Sequence, residues 1–298
     1  MQHDITIAIT AGLGGMFGWG LADLFAKKTI DTIGDIASLF WAHIFGSIAF
    51  LVFFLIELSR GAVFMPLSSV STWVLLAFFG VLQALVYLLL YRGFSKGQVS
   101  ILNPMFASFS GLVALFSIAF LGEHFTGSIL VGLVIIFTGI VLLNIDISAL
   151  RAKKLSFSKT PGFNEIALGT ICAAAWTLLW NLFVAGKSAI ISAFLMYVFM
   201  TLAIFIYAKA QKLTLKFKAP SVWKFLILIG ICEAVAFYAI TLGYEMSDHT
   251  SIIALVSGAF SLPTIVFARV YLKEHITRLQ TFAVLGIIIG IICISLTS

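Results

Sequence analysis

One acid stands alone in an apolar stretch. Glu233 lies twelve residues into a hydrophobic run that begins near residue 221, the depth of a bilayer midplane if that run is a membrane helix. An uncompensated carboxylate in hydrocarbon is costly, so the group must be protonated, paired or turned toward a wet cavity. Phe237, Ile240 and Tyr244 follow at helical spacing and give one apolar, aromatic face with an acid on it. Such a face suits two chemistries: binding and release of a proton, or contact with the ammonium group of a solute. The structural alternative is a protonated Glu bonded to a neighbouring helix.

Other polar and aromatic groups sit inside apolar runs. Gln83, Tyr87 and Tyr91 recur every fourth residue, a stripe able to stack on a ligand and hydrogen-bond it. Gln83 would serve equally as glue between helices, and Tyr91 as part of an interfacial aromatic belt. Trp176 and Trp180 stand one turn apart with Asn181 beside them, and Trp19 stands one turn from Asp23. Tryptophans so placed line a cavity or pack a core. Asp23 is four residues from Lys27 and in reach of an ion pair with it near the membrane surface. His43 is either a neutral, hydrogen-bonded residue or a proton relay. Pro104 and Pro263 free backbone carbonyls and permit bends, which makes them hinges or static kinks. Glu123 and Glu274 stand just before apolar segments, where a carboxylate meets the positive end of the helix that follows.

Several chemistries find no support. There is no Gly-rich phosphate loop, no His-Glu-x-x-His and no Cys-x-x-Cys. Cys172, Cys232 and Cys293 all fall in apolar runs and read as small packing residues. The reading is therefore no enzyme, no cofactor and no metal site.

The elements that must hold these residues follow from composition. Of 298 residues, 61% are hydrophobic and only 10% charged, against roughly 25% charged in soluble domains. A bilayer core needs about 20 apolar residues per helix, and lipid leaves no partner for an unpaired backbone group, so the apolar runs should be helices. Ten spans are expected at about 5–26, 35–57, 70–91, 99–121, 126–146, 163–186, 189–208, 221–244, 249–272 and 276–296. Ten spans put alternate loops on alternate sides. Of the 18 Lys and Arg residues, all but Arg60 and Lys187 then fall on one side. The positive-inside rule makes that side cytoplasmic and puts both termini outside. The net charge of +6 thus answers to topology and does not point to nucleic acid.

The chain repeats itself. At an offset of 151 residues, Leu121-Gly122-Glu123-His124-Phe125-Thr126 lies over Leu272-Lys273-Glu274-His275-Ile276-Thr277. Tyr87/Tyr238, Ser100/Ser251, Phe109/Phe260 and Ser110/Ser261 are identities in the same register. Residues 1–146 and 163–298 form two five-span halves joined by a basic linker, 147–162. An odd number of spans per half inserts the two copies in opposite orientations. That is the inverted-repeat plan of many secondary transporters, with a site near the midplane. The fold class expected is an all-α membrane protein, ten transmembrane helices as two inverted five-helix repeats.

The paired Leu-x-Glu-x-x-Thr segments, the glycine-rich first span around Trp19-Gly20, and Pro263 in the ninth span resemble the EamA-type branch of the drug/metabolite transporter superfamily. The first half departs from the pattern, with Leu112 at the position that matches Pro263. The resemblance implies a central cavity lined by spans 1, 3, 4, 6, 8 and 9, with spans 5 and 10 peripheral. It implies a secondary transporter, exporter or exchanger, of small organic metabolites in the plasma (inner) membrane. Amino acids are the leading substrate, since Glu233 suits a cation and the aromatics a mixed side chain. Gln83, Tyr87, Trp19, Trp176, Trp180, Asn181, Phe237 and Tyr244 are the other candidate site residues. Expected partners are the solute and membrane lipid. With both repeats in one chain, a monomer can suffice. A lipid-linked headgroup flippase and a non-transporting receptor or assembly factor are the competing readings.

Overall fold

The computed structural model describes residues 2–60, 69–96, 102, 105–123, 126–143, 161–271 and 277–296. Helices dominate them, and no strand occurs among the described residues. In chain order they are α1 (Gln2–Ile33), α2 (Asp35–Ser59), α3 (Val70–Lys96), α4 (Phe109–Phe120), α5 (Gly127–Leu143) and α6 (Phe163–Val184). Then come α7 (Ala189–Ala210), α8 (Trp223–Met246), α9 (Thr250–Gly258), α10 (Ser261–Tyr271) and α11 (Arg278–Leu296). Among the described residues, eight helical segments are long and apolar enough to cross a membrane, one of them running from α9 into α10. Two shorter apolar helices, Met105–Phe120 and Gly127–Leu142, accompany them.

Expectation and structure differ at the ninth span. The expected single helix over 249–272 is two, with Ala259 and Phe260 between them in a turn. Pro263 stands in the first turn of α10, where a missing amide proton costs nothing because no carbonyl precedes it in the helix. Gly20 of α1 lies against this break: a methyl group added there would collide with the Phe260 carbonyl oxygen. Pro104, the other expected hinge, lies outside the described residues.

In lipid, helices associate through close packing of small residues rather than through hydrophobic burial. The stripe Gly14-x-x-x-Gly18-x-x-x-Ala22 does this for α1. Added methyl groups at Gly14 and Gly18 would meet Ala239 and the Cys232 carbonyl of α8 at 2.5 and 2.6 Å. In the expected pair Gly286 and Gly290, only the second is used: Gly290 abuts Gly132, whereas Gly286 faces open space. Large apolar side chains such as Phe120 and Phe282 stay exposed on the outside of the bundle, as lipid permits.

The contacts fix relative directions. Gly132 touches residues 290 and 294 while Gly139 touches 283 and 287, so α5 and α11 run antiparallel. Gly14 and Gly18 against Ala239 and Ala236 make α1 and α8 antiparallel. Phe79 against Trp176 and Gly93 against Ile166 do the same for α3 and α6. The most extensive contacts join elements of different halves: α1 with α8 and α9, α5 with α11, α3 with α6 and α7, α2 with α7 and α8. The α5–α11 pair stands largely apart from the others.

Candidate functional site

A narrow central cavity opens between the halves. Trp19, Ala22 and Asp23 of α1 form one wall, and Gln83, Val86, Tyr87 and Leu90 of α3 another. Phe106 and Phe109 at the start of the fourth apolar helix, Ala173, Trp176 and Thr177 of α6, Glu233 of α8 and Phe260 at the α9–α10 break complete it. Two carboxylates face this space, and no Lys or Arg is among the described residues lining it. Gln83 Oε1 is buried and has no hydrogen-bond partner among the described residues. Buried polar groups are normally paired, so an acceptor stands ready for a ligand here, while the Trp19 indole reaches the Tyr87 hydroxyl.

Behind Glu233 lies a polar cluster in an otherwise apolar interior. Tyr197 of α7 donates its hydroxyl to Glu233 Oε2 at 2.7 Å. His43 of α2 places Nε2 3.6 Å from the same oxygen and stacks on the Tyr197 ring, with centroids 5.1 Å apart. Its other face meets Tyr87 edge-on. Gly46, one turn on from His43 in α2, makes room for this: a methyl group there would come within 2.5 Å of the Tyr197 ring and hydroxyl.

Aromatic rings form the rest of the frame. Phe237, fully buried, meets Trp19, Trp176 and Tyr197 edge-on at 5.6 to 5.8 Å. Trp176 and Trp180 stack at 5.3 Å. Their indole nitrogens donate to the Phe79 carbonyl oxygen and to Thr241 Oγ1, each at 3.1 Å. Edge-to-face packing of this kind holds rings in place beyond their area burial.

A second, wider cavity is lined by Asp4, Glu123, Asn181, Tyr244, His249 and Thr250 among others. Gly122, in the left-handed region at φ +68°, ends the turn after α4 and delivers Glu123 to the start of α9. Glu123 accepts the Ser251 hydroxyl at 2.6 Å and the Ser251 amide at 3.1 Å. Burial pushes the Glu123 carboxyl up from 4.5 to about 7, against hydrogen bonds from Ser251, Ser117 and Thr250 that pull it down. Nearby, His249 lies 3.2 Å from Asp4, and Asn181 donates to Thr250 Oγ1 at 2.7 Å.

Of the candidate residues, Glu233, Gln83, Tyr87, Trp19 and Trp176 reach the central cavity, and Phe237 and Trp180 back it. Asn181 and Tyr244 do not belong to it; they line the second cavity. Tyr91 is buried against Tyr87 rather than placed in an interfacial belt. Glu123 meets the start of α9 in the other half instead of the helix that follows it; its repeat counterpart, Glu274, lies outside the described residues. Asp23 lines the cavity, and the Lys27 side chain lies outside what the structure describes. Tyr197 had no signal in the sequence, being a lone tyrosine in an apolar helix.

At the opposite end of α3 and α6 from the second cavity, Lys96 pairs with Glu165 and Arg92 donates to the Tyr207 hydroxyl. Both pairs bridge the halves. The sequence profile of the EamA-like transporter family matches residues 6–145 and again 164–296. The chain belongs to the EamA-like transporter family. Its members are membrane transporters of small molecules, and this one is an integral, multi-pass membrane protein built from two EamA-like repeats. A solved crystal structure, described only as that of a protein, has the same fold: TM-score 0.75 and 15% identity over 98% of this chain and 99% of that one. No curated protein matches the sequence.

Proposed function

We propose that this EamA-like protein is a secondary transporter, exporter or exchanger, of small organic solutes bearing an amino group, with amino acids the leading class. The observation that carries this is the central cavity: both halves wall it, two carboxylates face it, and aromatic rings frame them. An ammonium group would dock on Glu233 beside Trp176 and Tyr87. The Trp19 indole nitrogen and the Gln83 amide nitrogen are neutral donors suited to a solute carboxylate. Proton coupling runs through Glu233.

Ten spans in two inverted halves support alternating access by rocking one half against the other. The antiparallel course of α5 and α11, equivalent helices of the two repeats, favours inversion. The charge partition favours both termini outside, in a plasma (inner) membrane. A cysteine at position 156 in a chain free of its own cysteines tests this; it should resist impermeant thiol reagents in intact cells, and ready labelling would reverse the orientation.

Counterflow in proteoliposomes, with a panel of labelled amino acids and related metabolites, tests transport without any driving force. Exchange of one or more members is expected. Silence from folded protein, with exchange of a lipid-linked headgroup instead, would overturn the reading in favour of a flippase.

A further inference from the structure

His43 is buried, uncharged partners surround it, and yet it is turned toward an acid. Its Nδ1 lies 2.8 Å from the Leu39 carbonyl oxygen. A carbonyl oxygen only accepts, so Nδ1 carries a proton, and in the neutral ring Nε2 is a bare acceptor. That Nε2 faces Glu233 Oε2 at 3.6 Å and has no hydrogen-bond partner among the described residues. Tyr197 supplies a single donor to the same carboxyl oxygen. His43 is 0% exposed and Glu233 3%.

Three proton counts are open to this pair. With no exchangeable proton, a lone pair confronts a carboxylate that has only the Tyr197 hydroxyl to accept from. With two, an imidazolium confronts a neutral acid, an uncompensated buried cation. With one, the pair is neutral overall, either as acid and imidazole or as carboxylate and imidazolium. Burying a lone charge costs far more than burying a neutral or paired one, so the single-proton count is the stable one. Among the described residues, the other titratable groups around the pair are Asp23 of α1, Tyr87 and Tyr91 of α3, Tyr197 of α7 and Cys232 of α8. None is a fixed cation that would hold Glu233 ionised without that proton.

We propose that His43, Tyr197 and Glu233 form a site for one exchangeable proton, and that a solute's ammonium group displaces this proton when it docks on Glu233. The displacement rests on the transport reading above; the proton site does not. Charge balances: one cation enters the cavity, one proton leaves, Glu233 ends ionised against the ammonium group and His43 ends neutral. His43 acts on the solute only through Glu233, as a positioning residue and proton partner.

The test needs no substrate. The full chain in lipid nanodiscs is titrated in weak buffer from about pH 9 to about pH 5, and bound protons are counted for wild type, His43→Gln, Glu233→Gln and the double variant. A shared proton predicts that His43→Gln binds as many protons as wild type with a moved midpoint, because Glu233 still titrates, and that Glu233→Gln and the double variant each bind one fewer, because an imidazolium facing a glutamine would be a lone buried cation. Loss of one proton in each single variant and two in the double means independent groups and overturns the proposal. No loss in the double variant overturns it as well. Nitrogen-15 spectra of the wild-type histidines decide without any variant: His43 Nδ1 should stay protonated throughout, and a bare Nδ1 would sink the site. Failure of counterflow with this proton count intact would remove transport and leave the proton site standing.

Discussion

Glu233 and Glu123 are both enclosed carboxylates, and their surroundings give them different work. Glu233 faces a cavity shared by the halves, and its neighbours are a tyrosine hydroxyl and an imidazole nitrogen. An imidazole nitrogen can take up a proton that a neighbouring acid releases. Glu123 faces the first turn of α9, and its donors are the Ser251 amide and hydroxyl. Those protons stay where they are, so Glu123 satisfies a helix start that would otherwise be left unpaired. The comparison teaches that depth alone does not make an acid a coupling group; the partner's capacity to take the proton does.

Four substitutions would break or sharpen that contrast. The largest effect is expected from Glu233→Gln, which should bring pH-gradient-driven transport in proteoliposomes down to background; full coupling in this variant would take Glu233 out of the mechanism. Next comes His43→Gln. With imidazole gone, Glu233 must hold the proton alone, so the pH profile of driven transport should change shape, whereas an unaltered profile would separate His43 from the acid.

Glu123→Gln should act on stability instead. The folded chain binds the Glu123 proton more tightly than an unfolded glutamate titrating near 4.5. The stabilisation is therefore complete below 4.5 and lost as pH rises through about 7. Thermal unfolding in detergent should show the wild-type Tm falling across that interval and the variant's falling less. Equal slopes would mean Glu123 does not titrate there. The smallest effect belongs to Ser251→Ala, which removes one hydroxyl donor and should cost about 0.5–1.5 kcal/mol, read as a modest drop in Tm at neutral pH with transport retained.

Much of this was legible in the residue order. Long apolar runs dictated helices, the repeat dictated two related halves, and the position of Glu233 in its run placed it at the cavity. The glycine stripe in α1 announced a close helix contact without saying with which helix. What escaped was pairing across the halves. Glu123 precedes α5 by a few residues, so local reasoning assigned it to that helix; its partner Ser251 is 128 residues away. Asp23 and Lys27 share a helix face, which suggests an ion pair; the cavity reaches down α1 to Asp23, and the Lys27 side chain lies outside the described residues. Trp180 and Asn181 are neighbours in sequence, but successive residues of a helix point about 100° apart. One therefore stacks behind the central cavity while the other lines the second. Tyr197 has no periodic company in α7, and only the approach of α2 and α8 gives it meaning.

The stripe on α1 also sets a schedule for biosynthesis. Gly18 is made early, and the α8 backbone it rests on, at Cys232, is made more than two hundred residues later. At roughly 5–20 residues per second, α1 waits on the order of ten to forty seconds in the membrane before its chief partner exists. During that interval its small-residue face has only lipid, or the insertion machinery, to lie against. The nascent first half is thus a client in need of an escort, and a ribosome stalled within the second half would leave behind a bundle with its closest-packed seam unfilled.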